Sequence, residues 1–462
     1  MGKNYDWWTR PCGGADVLRQ AVPLIISGGC ISLINFTDRM FLMWHGSDAM
    51  TAAMQAGMLF WTAIAIPSAV AAFVTTFVAQ YHGDGQNHRI GRIVWQGIWF
   101  GFVLMPFLML LYQPFTKVFV WFGHDAALVE LECTYYFYML LGCGGAISGE
   151  AAASFFRGQG RMRVEMFNNA FCLALNVILD YCLIFGNFGF PAWGLAGAAI
   201  ASAVSLWARF LIYMCLMFAQ DWHANKFHVL GGMRLDLPLM SRLCYYGVPA
   251  GLYTFIDMVT FTAFIMLIGG LGQVQRNATT IAFTMNSFTF MPLNGIGIAV
   301  SSMVGNQLGK DKPHFARRVT ITAQIFGCMY SGFFSLAFLL FPGTLLSAFA
   351  VFSSPEEFAA VYDLSIILIR FIALYLFFDS ASIIFYSALR GAGDTIFIAC
   401  ITGVLAPLLP ICCAAGISYF GLGILWCWTV LTLVVFAYCT CFAIRYRSKV
   451  WESMRVIEKE II

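Results

Sequence analysis

Long apolar blocks alternate along this chain with short polar interruptions. A helix that crosses a bilayer needs roughly 20 mostly apolar residues. About twelve blocks reach that length, near 18–44, 51–81, 94–116, 128–153, 164–186, 194–219, 240–269, 278–307, 318–341, 359–387, 395–419 and 421–444. None shows the one-in-two alternation of a barrel strand, so the pattern predicts an all-α polytopic membrane protein. The polar start, with Lys3, Arg10 and Arg19, leads straight into the first block. No small-residue cleavage site follows a short apolar core, so this start reads as a retained anchor.

Composition excludes the soluble alternatives. Of 462 residues, 60% are hydrophobic and 11% charged, against roughly 25% charged in an ordinary globular protein. Such a chain in water would expose large apolar patches, so its solvent is lipid. A soluble enzyme, a nucleic-acid binder and a disordered chain are ruled out. The 15 cysteines sit mostly in apolar runs without a CxxC pair and read as small core residues. All seven histidines (His45, His82, His88, His124, His223, His228 and His314) fall in or beside predicted loops. An embedded haem or zinc site needs ligands inside the spans, so neither is expected.

Basic residues set an expected orientation. With both termini inside, the inner segments hold 21 of the 26 lysines and arginines, leaving Arg39, Lys117, Arg209, Arg276 and Arg370 outside or within spans. That bias predicts cytoplasmic N- and C-termini in a multi-pass protein of the cell (inner) membrane.

The chain also repeats itself. Val22-Pro23 recurs as Val248-Pro249, and VAQYHGDGQNHRIGR (78–92) recurs as VGNQLGKDKPHFARR (304–318), both at an offset of 226. FFRGQGRMR (155–163) recurs as ALRGAGDTI (388–396) after a drift of seven. The matches lie in polar loops, where apolar bias cannot create them. They predict two parallel, pseudo-symmetric six-helix lobes: an N-lobe at 1–219, a cytoplasmic inter-lobe loop at 220–239, a C-lobe at 240–447 and a cytoplasmic tail at 448–462. Transporters built this way bind substrate between their lobes and rock one against the other.

Acids inside the apolar blocks carry the candidate chemistry, because each costs roughly 2.5–3.5 kcal/mol at the bilayer centre. They are Asp38, Glu150, Asp180, Asp257 and Asp379. Asn176 and Asp180 are four apart and share one helix face, as do Tyr375 and Asp379. Asp257 lies roughly 25 Å along its helix from Met240, and Asp379 roughly 16 Å from Arg390, which places both at middle depth. A carboxyl held there can take up a proton, or when ionised can hold Na⁺ with neutral oxygens. Asp38 lies roughly 30 Å from Leu18, near the outer interface, and Arg39 is a poor partner for it because i and i+1 do not face each other. Glu150 has Arg157 and Arg209 as candidate partners. Ser202 taken alone reads as a packing residue, and Pro23 and Pro249 as hinges or as ordinary helix-start prolines. The 45 phenylalanines and 22 methionines suit an adaptable greasy cavity, although most must face lipid or other helices.

Two motifs are set aside. GNQLGK (305–310) has three residues between its glycines and Asp311 after its lysine, and it lies in a helix-linking loop, so it is not a P-loop. The sequon Asn277-Ala278-Thr279 falls in a predicted outer loop, but such triplets are frequent by chance.

Taken in order, these motifs resemble the multidrug and toxic compound extrusion (MATE) family over essentially the whole chain. The resemblance rests on INFTDRMFLMWHG (34–46), the loops ending VAQYHGDG and VGNQLGKD, NVILDYCLIFG with GLAGAAIASAVS (176–186 and 194–205), and the RG-x-G turns at 157–160 and 390–393. It implies a V-shaped two-lobe bundle and export of organic, often cationic, compounds in exchange for H⁺ or Na⁺. The family pattern places an N-lobe ion site at Asp38, Asn176, Asp180 and Ser202, the last usually Thr. It places a C-lobe site at Asp257, where Glu is frequent, with Tyr375 and Asp379. The proline linked to bending of the first helix matches Pro23. Arg39 departs from the pattern, where a small or hydroxyl residue follows the span-one Asp.

The expectation is a secondary antiporter for drug-like small molecules working by alternating access. No enzyme activity, cofactor or nucleic-acid partner is expected, no metal beyond Na⁺ at these acids, and the chain is expected to act as a monomer in membrane lipid. A lipid-linked saccharide flippase is the alternative within the same architecture, but it calls for a cationic cavity where these charges are chiefly acidic. A membrane transferase or channel is the alternative from another class; the first needs a loop cluster of acids or histidines, the second commonly a ring of short chains.

Overall fold

The computed structural model describes residues 7–121, 124–222, 225–350 and 355–458. The described helices are α1 (Gly14–His45), α2 (Ser47–Asp84), α3 (Ile90–Leu110), α4 (Tyr112–Trp121), α5 (Ala126–Leu141), α6 (Cys143–Gly158), α7 (Met162–Phe185) and α8 (Leu195–Asp221). They continue as α9 (Leu237–Gly269), α10 (Gln273–Gly309), α11 (Pro313–Leu340), α12 (Pro342–Ala350), α13 (Pro355–Ala392), α14 (Thr395–Phe420) and α15 (Ile424–Arg447). Among the described residues, eleven helices are long and apolar enough to cross a membrane, and α5 with α6, bent by 41°, makes a twelfth when the pair is taken as one crossing. The bend falls at Gly142, where a side chain would meet the Ala203 backbone at 2.9 Å.

Packing divides the chain into two compact units. One gathers residues 1–25, 252–304 and 312–455; the other gathers 26–251, 305–311 and 456–462. Three helices are therefore shared: α1 divides after Ile25 and α9 after Gly251, again 226 apart, and α10 after Val304. Pro23 and Pro249 each lie two residues before the division. A proline there leaves the carbonyl four residues earlier without its helical donor, which weakens the ladder where each helix changes unit.

In the second unit α6 packs among α2, α3 and α8. It is buried along nearly its whole length and rich in Gly and Ala, the composition that lets helices approach closely in lipid. In the first unit α13 packs on α11 and α15, and α14 on α15. The repeated RG-x-G turns close alike. Gly160 and Gly393 take φ of 76° and 96°, a region glycine enters without strain. Backbone bonds from Gly160 to Arg157 and from Arg161 to Phe156 recur as Gly393 to Arg390 and Asp394 to Leu389.

Several sequence expectations need correction. The third span ends at Leu110, because Pro114 lacks the N–H to carry that ladder on and sits in the first turn of α4. Asn277 is not in a loop: α10 starts at Gln273 and Thr279 is buried. GNQLGK is the last turn of α10 rather than a loop. His223 and the basic residues Lys3 and Lys459 lie outside the described residues.

Candidate functional site

Asp38 of α1, Asp180 of α7 and Ser202 of α8 converge in the second unit. Ser202 Oγ donates to Asp38 Oδ2 at 3.2 Å. The carboxyls of Asp38 and Asp180 come within hydrogen-bonding reach of each other when one carries a proton. Asp38 is 9% exposed, and Asp180 and Asn176 are fully buried. Asn176 lies one turn before Asp180 on the same face of α7. Among the described residues, no other hydrogen-bond partner satisfies Asp180 Oδ1 and Oδ2, Asp38 Oδ1, or either end of the Asn176 carboxamide. Each buried polar atom left so costs about 1–3 kcal/mol, and charged ones more. Carboxylate, carboxamide and hydroxyl oxygens are the ligands a hard cation takes, and two facing carboxyls can equally share a proton.

One member was not foreseen from the sequence. Tyr135 of α5, 6% exposed, places its hydroxyl beside Ser202 and within electrostatic reach of both aspartates. Its only local signal was a tyrosine pair in a chain already rich in aromatics. Arg39 is exposed, and among the described residues it forms no ion pair with Asp38.

Glu150 is occupied elsewhere. Its two oxygens accept from Arg157 Nη1 and Arg209 Nη2, both at 2.7 Å. Arg157 also donates through Nε to Glu165 at 2.6 Å. The quartet ties α6, α7 and α8 together with two positive and two negative charges, and Arg209 lies 5.8 Å from the Tyr213 ring centre. Both partners named for Glu150 from the sequence are therefore used at once.

The first unit holds a separate cavity of about 400 Å³. Asp257 of α9, Asp379 of α13, Asn294 of α10 and Tyr438 of α15 line it, with Arg390 at the C-terminal end of α13. Tyr253 and Tyr386 stack on its wall, ring centres 4.4 Å apart. Asp257 is exposed on that wall and Asp379 half-buried. Tyr375 is buried one turn before Asp379 and does not line the cavity. Two carboxylates among tyrosine faces make a surface that attracts organic cations. Arg390 was read from the sequence only as a turn and topology marker; its place beside the acids became visible once α13 and α9 were folded together.

A model of the MatE family matches residues 23–182 and 249–415, one stretch in each repeat and more than half the chain. The chain belongs to the MATE family. MATE proteins are integral membrane transporters, not enzymes. Among similar proteins, the probable multidrug resistance protein NorM of Bradyrhizobium diazoefficiens is 25% identical over 438 residues, 94% of this chain and 92% of its own. The one named alike in Thermotoga maritima is 24% identical over 454 residues, 96% of this chain and 94% of its own. A solved multidrug resistance MATE family transporter in an outward-facing conformation shares the fold, with a TM-score of 0.85 at 16% identity, over 98% of this chain and 100% of that one.

Proposed function

We propose that this MATE protein is a multidrug exporter that expels organic, chiefly cationic, compounds in exchange for H⁺ or Na⁺. Asp38, Asn176, Asp180 and Ser202 hold the coupling ion, with Tyr135 supporting Ser202. Asp257 and Asp379 bind the positive end of the drug in the tyrosine-walled cavity, and Tyr375 supports Asp379 from the preceding turn. The lobes at 1–219 and 240–447 alternate access, Pro23 and Pro249 act as hinges, and both termini face the cytoplasm of the cell's inner membrane. The working unit is a monomer exchanging small molecules across lipid.

The observation that carries this reading is the buried polar cluster in which Asp180 Oδ1 and Oδ2, Asp38 Oδ1 and the Asn176 carboxamide lack hydrogen-bond partners among the described residues. Such a cluster costs stability unless a cation or proton visits it. Names of similar proteins, which mention multidrug resistance, support the drug substrate. One charge crossing 100 mV supplies roughly 2.3 kcal/mol, or nearly two decades of drug gradient for one-for-one electrogenic exchange.

The test is efflux of a fluorescent cation from vesicles under a pH gradient and a Na⁺ gradient, each imposed alone. One gradient should drive wild-type efflux and leave Asp38→Asn and Asp180→Asn inert. Equal efflux by these variants, or no response to either gradient, overturns the proposal.

A further inference from the structure

The segment between α8 and α9 is not a slack linker. Asp221 accepts from the N–H groups of Phe227 and Val229, both at 2.7 Å. Phe227 accepts from Gly91 N at 2.9 Å. Side chains of α3 then hold the segment by its backbone: Trp95 Nε1 donates to Val229 O and Trp99 Nε1 to Met233 O, each at 2.8 Å. Gln96 clasps the return stretch, donating to Arg234 O at 3.1 Å and accepting from Asp236 N at 2.9 Å. Gly91 and Gly232 allow the approach, since a Cβ on either would meet backbone at 2.6–2.7 Å.

The segment is therefore fixed across the first turns of α3, held by side chains from Trp95 to Trp99. Gly232 packs against the backbone of Gly91 and Arg92, and the Trp99 indole reaches back toward the helix start to meet Met233 O, so the loop stays beside the polar start of the third span, where headgroups lie. Leu230, Met233, Leu235 and Leu237 are 58%, 38%, 56% and 67% exposed on this segment. Four apolar side chains left bare on one tethered loop are an anomaly in water and a match for lipid.

Charge selects the kind of lipid. Arg92 and Arg234 are both exposed at the groove, a hollow of about 790 Å³. The local acids are committed: Asp221 to the two backbone N–H groups, and Asp236 Oδ1 to Leu239 N at the start of α9. Asp236 Oδ2 reaches Arg92 only loosely, at 3.6 Å, leaving guanidinium donors for a phosphate, which Arg binds bidentately.

We propose that this groove is a binding site for an anionic phospholipid, with its phosphate between Arg92 and Arg234 and its chains against Leu230, Met233, Leu235 and Leu237. On the orientation proposed above, the lipid belongs to the cytoplasmic leaflet; the site itself stands whichever way the chain is inserted and whatever ion drives transport.

The test uses full-length protein in a neutral detergent, with dioleoyl phosphatidylglycerol, dioleoyl phosphatidylcholine or glycerol 3-phosphate added, read by melting temperature and by lipid retained in native mass spectrometry. Phosphatidylglycerol should raise the wild-type melting temperature by several degrees and remain bound, and the other two should not. Arg92→Gln/Arg234→Gln should lose most of that shift. Should the double variant fold poorly, Arg234→Gln alone, at an exposed position, should retain phosphatidylglycerol several-fold less well. Undiminished retention by the variants, or an equal shift from glycerol 3-phosphate or phosphatidylcholine, overturns the proposal.

Discussion

Gly83 presses its α-carbon against the backbone carbonyl of Asn306, and Gly309 does the same to that of Gln80. The four positions are two pairs 226 apart, so the duplicated helix ends VAQYHGDG and VGNQLGKD meet through equivalent surfaces. A Cβ on either glycine would come within 2.2 Å of the opposing oxygen. Gly83→Ala and Gly309→Ala should each destabilise by about 1–3 kcal/mol, the usual cost of overpacking. Because both strain one contact, the double variant should cost less than the sum. Thermal unfolding of the purified protein measures both.

Tyr135 gives the ion cluster a specific handle. Tyr135→Phe keeps the ring and removes the hydroxyl beside Ser202, a polar contact worth about 1 kcal/mol. The concentration of driving ion that gives half-maximal efflux should then shift by roughly fivefold with the melting temperature little changed. Ser202→Thr should retain transport and Ser202→Ala should weaken it. An unshifted ion dependence in Tyr135→Phe removes the residue from the site.

The Glu150 quartet predicts unequal consequences of single and double changes. Arg209→Met leaves Glu150 with Arg157 alone and should destabilise strongly, by about 3–5 kcal/mol, as when one partner of a buried pair is lost. Adding Glu150→Gln should return part of that loss, because the uncompensated carboxylate disappears with its partner. Unfolding of both variants and of Glu150→Gln closes the cycle.

In the cavity of the first unit, Tyr253→Ala removes the ring stacked on Tyr386. Affinity for an aromatic cation should fall about three- to tenfold, in line with one ring contact plus a cation–π term. Arg390→Gln removes a like charge from the same wall and should tighten cation binding. Equilibrium binding of a fluorescent cation in detergent reads both without relying on the ion gradient.

Pro23→Ala and Pro249→Ala restore a helix donor where α1 and α9 change unit. Each should leave the melting temperature unchanged or raised while slowing efflux, and the double variant should be slower still. Unaltered transport in both would remove the hinge role.

What could be read in advance follows physical lines. Twelve crossings were legible because a span needs length and apolarity, and both are written residue by residue. Short α4 and α12 were not, since stretches of ten and nine residues fit many structures. The start of α10 was misread because Asn277 and Thr279 look like loop chemistry until Thr279 is seen to be buried. Asp180 and Asn176 share a face by spacing alone. That Asp38 meets Asp180 across 142 residues was implied only by resemblance, and hydrogen-bond geometry now shows Ser202 joining Asp38. Tyr135 and Arg390 had no such guide. An aromatic in an aromatic-rich chain and an arginine beside a glycine turn gain meaning only from their neighbours in space.

The quartet of Glu150, Arg157, Glu165 and Arg209 sums to zero, so however deeply its members are buried it lends no net countercharge to an ion resting at Asp38 and Asp180. Displacement of that ion should consequently appear undiminished as a transient current when the protein is adsorbed on an electrode-supported membrane.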